Sequence, residues 1–376
     1  MKAWWVGRPG STSTHPLEQG TKHVPIPDKG ELLVKVTVCG VCRTDLHLAE
    51  GDLPPRHSRI VPGHEAVGIV VESGAGTGRF EAGDRVGVAW LGSTCGTCRY
   101  CQRGAENLCS RPVFTGWDRD GGFAEMMTVR EDFAYAIPPQ FSDEEAAPLL
   151  CSGIIGYRAL KRAALPPGGR LGIYGFGGSA HLTAQIAIHS GASVFVMTRS
   201  EEAQVLARNL GAEYVGGAFD APPVKLDSAI LFAPVGDLVP IAMRALDRGG
   251  TLAVAGIHLS DIPSMSYADE LFYEKQVRSV TANTRGDGTE LLALAADMPL
   301  IPTTTAYAFA AADQALDDLA NDRITGAAVL RISLRVSVLW ALGLLSFSEP
   351  FLKLRFRVLA AFSQPEQLLN QRILWD

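Results

Sequence analysis

The sequence predicts an α/β protein, with a first part of short strands and loops followed by a doubly wound parallel sheet. Two observations carry this. Up to about residue 150, short β-rich runs follow one another between Gly, Pro and Asp, as at residues 31–38 (E-L-L-V-K-V-T-V) and 66–72 (A-V-G-I-V-V-E), and more follow through residue 137. From Gly153 the pattern changes to alternating strands and helices, the punctuation of βαβ units.

In chain order, the second part is expected to hold a strand at 171–174, a helix at about 178–190, a strand at 193–197 and a helix at about 201–210. Strands at 228–232 and 251–255 flank a helix at 237–247, which closes a doubly wound domain near residue 285. Residues 302–330 hold one helix (311–320) and a short apolar ending, too little for a domain, and are expected to return to the first one. The division is therefore 1–152, 153–285, 286–330 and an atypical tail, 331–376. The longest uncharged stretch of that tail, Val336 to Ser348, is too short to span a bilayer. The tail reads as a poorly ordered appendage, with a surface amphipathic helix or partner contact as the other reading.

A chain of 376 residues that is 47% hydrophobic and 20% charged suits two buried cores. A formal charge of -6 gives no basic surplus to attract phosphate backbones, so nucleic acid is not an expected partner. The N-terminus lacks the apolar core of a signal peptide, which places the protein in the cytoplasm. Seven cysteines agree, because the number is odd and four of them crowd between Cys95 and Cys109.

Those four, Cys95, Cys98, Cys101 and Cys109, lie in C-G-T-C-R-Y-C-Q-R-G-A-E-N-L-C, with two, two and seven residues between them. Four thiolates on one short lobe suit tetrahedral zinc, and a closed four-sulfur shell leaves no position for substrate, so this zinc is structural. Free thiols or an iron–sulfur cluster are the alternatives on spacing alone.

A second metal set is dispersed. Cys42 stands in V-C-G-V-C-R-T-D-L-H, His64 and Glu65 in P-G-H-E, and Cys151 in P-L-L-C-S-G. Two thiolates and an imidazole form a catalytic zinc set with an open fourth position. Arg170 to Tyr174 then leads into G-F-G-G-S-A-H, where Gly175, Gly177 and Ala180 match a dinucleotide fingerprint between a strand and a helix. Gly178 and Ser179 sit at the helix start. At the end of the second strand, Thr198, Arg199 and Ser200 stand where an Asp or Glu would bind a ribose diol. That favours NADP, with Arg199 on the 2′-phosphate, both hydroxyls donating and no carboxylate to repel it, while NAD is admitted as the second nucleotide.

In this order and over about residues 1–330, these motifs resemble the zinc-containing medium-chain alcohol dehydrogenases, microbial primary-alcohol members in particular. The resemblance implies a GroES-like catalytic domain and a Rossmann cofactor domain. It implies two zincs per chain, one held by Cys42, His64 and Cys151 with Glu65 able to exchange onto the metal. It further implies that Asp45 orients His64, that Arg43 contacts the pyrophosphate, and that Thr44 and His47 relay the alcohol proton outward. Trp90 would wall the substrate pocket, and Leu53, where a tryptophan often stands, would widen it. Thr44 and this pocket together imply small to medium primary alcohols and aldehydes. Ile155, near the nicotinamide, departs from a common Thr, and the turn E-S-G-A-G-T-G-R-F also differs. The family also implies a homo-dimer or homo-tetramer. The other readings are an aromatic-alcohol or polyol dehydrogenase of the same chemistry, a relative made inactive by its tail and, in a different class, a zinc-binding interaction protein without catalysis. The fingerprint and the absent basic surplus oppose the last of these.

Overall fold

The computed structural model describes residues 1–332 of the chain, and the readings made for residues 333–376 lie outside them. The second part is built on a six-stranded, wholly parallel sheet. Its spatial order is Tyr214–Gly216, Ser193–Met197, Arg170–Tyr174, Leu226–Leu231, Leu246–Val254 and Gln276–Ser279. The strand order reverses between Arg170–Tyr174 and Leu226–Leu231, the switch point at which open α/β sheets bind ligands. The central strands are buried on both faces, which is why they read as continuous apolar runs. Ile154–Ala163, Gly178–His189 and Glu201–Asn209 cover one face, and Leu238–Ala245 the other.

The first part forms a seven-stranded sheet around the long strand Glu31–Val41, which pairs antiparallel with Ala66–Ser73, Met126–Arg130 and the returning strand Ala327–Arg331. A parallel strand, Thr304–Ala308, completes that edge. A separate apolar cluster joins the two sheets' helices: Leu149, Leu150 and Ile154 pack with Leu182, Ile186, Leu291 and Leu292.

Besides Asp143–Pro148, Ile154–Ala163, Tyr214–Gly216 and Thr304–Ala308, which the sequence reading does not name, three elements depart from it. A helix, Arg43–Glu50, interrupts the strand-and-loop part, started by Cys42 and Asp45 as a reciprocal cap. The helix Arg285–Asp297 fills a stretch left without an element. Its Thr284/Asp287 capping box was readable, but Gly286 and Gly288 weaken helix propensity and mask it. The edge strand Gln276–Ser279 was also unread, because its mostly exposed residues carry no apolar pattern.

Candidate active site

The site is assembled where the first part meets the cofactor sheet. Cys42 is the N-cap of Arg43–Glu50, and its sulfur accepts the Thr44 backbone N–H at 3.3 Å. His64 and Glu65 follow Gly63, whose backbone turns at φ +96 with Phe123 so close that a Cβ would lie 2.5 Å from its ring. No side-chain residue fits that turn. Cys151 sits in Leu149–Gly153, a single wide π-type turn between Asp143–Pro148 and Ile154–Ala163. Such turns re-aim a side chain within a helix.

These segments bring one ligand atom each from Cys42, His64, Glu65 and Cys151 to within 4.8 Å of one another. Cys42 Sγ and His64 Nε2 are 3.0 Å apart. Asp45 lies behind them, buried. One of its oxygens accepts the Gly63 N–H at 2.8 Å and lies 3.3 Å from His64 Nδ1, and the other accepts the Cys42 N–H at 3.0 Å. One carboxylate thus fixes the backbone of Cys42, the backbone of Gly63 just before His64, and the His64 ring.

The electrostatics of the cluster are those of crowded negative charge. Burial pushes the Glu65 carboxyl well above its usual range, and the Cys42 thiolate adds to this. The hydrogen bond to Cys42, with burial, pushes Cys151 up in the same way. Cys42 itself is held low: burial opposes this, but the hydrogen bond from Cys151 and the His64 charge outweigh it. His64 is raised, since Cys42 and Asp45 overcome its desolvation. Glu65 Oε1 is buried without a hydrogen-bond partner. Two thiols, an imidazole and an unsatisfied carboxylate, with no Lys or Arg among them, form a donor set suited to zinc.

The lobe cysteines form a second set. Sγ separations are 3.5 Å for Cys95–Cys109, 3.6 Å for Cys98–Cys101, and 4.0 Å for Cys95–Cys101 and Cys98–Cys109. Zinc–sulfur bonds of about 2.3 Å make a tetrahedron whose edges are about 3.8 Å, so the four sulfurs are already at zinc spacing. Backbone N–H groups of Cys98, Cys95 and Arg111 point at sulfurs. Those of Thr97 and Cys98 hold the Cys95 thiol down at about 5, and those of Cys101 and Ser110 hold Cys98 at about 7. Desolvation and hydrogen bonds with Cys109 and Cys98 push Cys101 up to about 11.

Thr44 and His47 stand one turn apart on the same helix, so their side chains share a face. His47 Nδ1 is 3.1 Å from Asp52 Oδ2, and its ring lies 3.9 Å from that of His258, a residue the sequence reading missed. Burial and the neighbouring His47 push the His258 imidazole down. Trp90 meets the His64 ring edge-on at 4.9 Å and stacks with Phe114 and Trp117 at 4.9 and 6.1 Å. Phe114 and Trp117 were likewise unread. Trp117 Nε1 donates to the Pro54 carbonyl, which ties this aromatic wall to the half-buried Leu53 next door.

The glycine cradle lies at the switch point. Gly175 adopts φ +84, and a Cβ there would lie 2.9 Å from the Ala233 nitrogen. Gly177 faces open space and precedes Gly178–His189, whose N-terminus has no side-chain cap. Free N–H groups facing an open crevice suit a pyrophosphate. Ser179 and Ala180 lie in the first turn of that helix, and a Cβ on Gly178 would lie 3.2 Å from Ser152 Oγ, so the cradle touches the turn bearing Cys151. The half-buried Ile155 follows one turn later.

The adenosine end departs from the sequence reading in two respects. Ser200 is engaged as the cap of Glu201–Asn209, accepting from the Ala203 N–H and donating to Glu202. The expectation that no carboxylate stands beside Arg199 is corrected, for Asp322 pairs with Arg199 and, through its other oxygen, with Arg43 at 2.5 Å. Asp322 lies far away in sequence, on the turn after Ala312–Ala320. Thr198 is buried beside them.

A family model described as the alcohol dehydrogenase GroES-like domain matches residues 28–139. The chain is 58% identical over 337 residues to the "Probable alcohol dehydrogenase AdhA" of Mycobacterium tuberculosis, covering 88% of this chain and 97% of that one. Among solved structures, a cinnamyl alcohol dehydrogenase from Sorghum bicolor is 28% identical with a TM-score of 0.80, covering 88% of this chain and 98% of that one. The CAD of Helicobacter pylori, solved with NADP(H), is 25% identical with a TM-score of 0.78, covering 88% and 99%.

Proposed function

The chain belongs to the zinc-containing medium-chain alcohol dehydrogenases, and from that premise we propose that it interconverts small to medium primary alcohols and aldehydes by hydride transfer with NADP(H) or NAD(H). The observation that carries this reading is the convergence of Cys42, His64, Glu65 and Cys151 in a buried spot whose Cys151 turn touches the glycine cradle. Cys42, His64 and Cys151 would hold the catalytic zinc, and Cys95, Cys98, Cys101 and Cys109 the structural one. Zinc bound there acts as a Lewis acid that makes an alcohol hydroxyl easier to deprotonate.

The chain's own groups do the rest. Thr44 Oγ1 would accept the hydroxyl proton while giving up its own outward along the relay, and His47, held by Asp52, would pass one proton to solvent. With that proton gone, hydride leaves the alcohol carbon for the nicotinamide, giving aldehyde, reduced nucleotide and one released proton. Asp45 keeps the His64 ring in place, and Glu65 is a carboxylate able to exchange onto the metal. Arg43 and the uncapped start of Gly178–His189 receive the pyrophosphate, and Arg199 with Thr198 receives the adenosine end. Trp90 and its stacked neighbours wall out water, and Leu53 leaves the pocket wider than a tryptophan would. The same aromatic wall favours aromatic alcohols as the second reading. Among the described residues no helix is long and apolar enough to cross a membrane. An edge strand, Gln276–Ser279, beside exposed Phe272, Tyr273 and Val277, supports a homo-dimer or homo-tetramer.

Turnover of an alcohol series from ethanol to bulky secondary alcohols, with NADP and with NAD, tests the reading. The expected profile peaks at primary alcohols with NADP preferred. A flat profile would overturn the pocket assignment, and equal or better use of NAD would overturn the cofactor preference.

A further inference from the structure

Asp322 holds both guanidinium groups assigned to the dinucleotide, although it comes from neither of their segments. Arg43 begins the helix after Cys42, Arg199 lies two residues past the strand Ser193–Met197, and Asp322 lies on the turn beyond Ala312–Ala320. Its two carboxylate oxygens each take one arginine. The neighbouring acids are engaged elsewhere: Asp317 and Asp318 are paired with Arg323, Asp317 accepts from Thr12, and Asp318 accepts from Tyr307. Asp322 also adopts φ +53, a left-handed conformation uncommon for a residue other than Gly and tolerated best by Asn and Asp. The backbone thus presents one carboxylate to two cations from other segments.

We propose that Asp322 is an internal anion that competes with the phosphates of the dinucleotide for Arg43 and Arg199, and so sets cofactor affinity and the balance between NADP and NAD. The inference rests on the cofactor reading above. The chemistry is an exchange of partners, with no bond made or broken: nucleotide binding displaces a carboxylate from each guanidinium and puts a phosphate in its place. The displaced pairs are weak enough to be exchanged, since side-chain exposure is 43% for Arg43, 79% for Arg199 and 45% for Asp322. Once displaced, the carboxylate still lies within screening distance of the incoming charge and opposes it. NADP meets this opposition at both arginines, through pyrophosphate and 2′-phosphate, and NAD mainly at Arg43.

The test is equilibrium binding of NADP+ and of NAD+ to the zinc-loaded protein and to Asp322→Asn, which keeps the left-handed backbone, with the melting temperature of each nucleotide-free protein measured alongside. Asp322→Gly, which also suits that backbone, serves if the Asn protein is poorly folded. The expected result is that Kd for NADP+ falls about 3- to 30-fold in the variant, Kd for NAD+ falls less, and the nucleotide-free melting temperature does not rise. A purely structural role would weaken binding together with stability, so opposite movement of the two is the signature. If the wild-type protein binds nucleotide and the variant binds it no more tightly, the competition is overturned and the cofactor reading stands. If neither protein binds either nucleotide, the cofactor reading falls and the competition with it.

Discussion

Acidification should weaken this protein through one imidazole, His181, next to the dinucleotide cradle. The ring is fully buried in Gly178–His189. Its Nδ1 is 3.3 Å from the Gly177 carbonyl, and its Nε2 is 3.2 Å from the Thr303 N–H that donates to it. That pairing fits one neutral tautomer: Nδ1–H donates and Nε2 accepts. A proton on Nε2 of this fully buried ring would face the Thr303 N–H. Burial accordingly pushes the group from 6.5 down to about 4. The unfolded chain therefore takes up this proton first. Stability present at neutral pH is lost as pH falls below about 6.5, and the loss levels off below about 4. Linkage puts the loss at about 2 kcal/mol by pH 5 and about 3 kcal/mol by pH 4. Other carboxylates also titrate there, so the assay compares wild type with His181→Asn, which cannot take up the proton, by denaturant unfolding at fixed zinc from pH 7.5 to pH 5. The variant should be less stable at pH 7.5, and its deficit should shrink by about 2 kcal/mol at pH 5. Parallel pH profiles for the two proteins would show that the His181 proton does not set the acid loss.

Three further expectations follow from the site. Thr44→Ala should lower kcat by about 100- to 1000-fold, with nucleotide affinity little changed, while Thr44→Ser restores most of it; steady-state kinetics and nucleotide titration read both. Cys98→Ser opens the four-thiolate shell and should cost about 3 kcal/mol or more, a drop of ~6 °C or more in Tm by calorimetry, with one zinc lost per chain. Leu53→Trp should narrow the pocket beside the aromatic wall and reduce kcat/KM for bulky relative to small primary alcohols by roughly 10- to 200-fold, read from a competitive alcohol series.

The fold class was legible because its signals are local. The continuous apolar runs at 171–174 and 193–197 mark strands buried on both faces, and the glycines at 175 and 177 mark the turn between strand and helix. The four lobe cysteines are legible for the same reason, since one short loop supplies every sulfur. Residues 42, 64 and 151 are joined only by the fold, and spacing alone could not connect them; the family resemblance did. What stayed unread depends on contacts between distant segments. Asp322 meets Arg199 across 123 positions, and in sequence it is one acid among several. Trp117 reaches Trp90 through a turn, and His258 reaches His47 from beyond the fifth strand of the parallel sheet. The helix Arg285–Asp297 shows the opposite failure, a local cap signal obscured by two glycines.

Cys42, His64 and Cys151 are proposed to hold the zinc on which alcohol oxidation depends. Zinc per chain and ethanol and 1-propanol turnover, measured on the same samples of wild type and Cys151→Ser, decide this role. The wild type should hold two zincs and turn over, and the variant should be folded with one zinc and no turnover. A Cys151→Ser protein that keeps two zincs and full turnover would contradict this role.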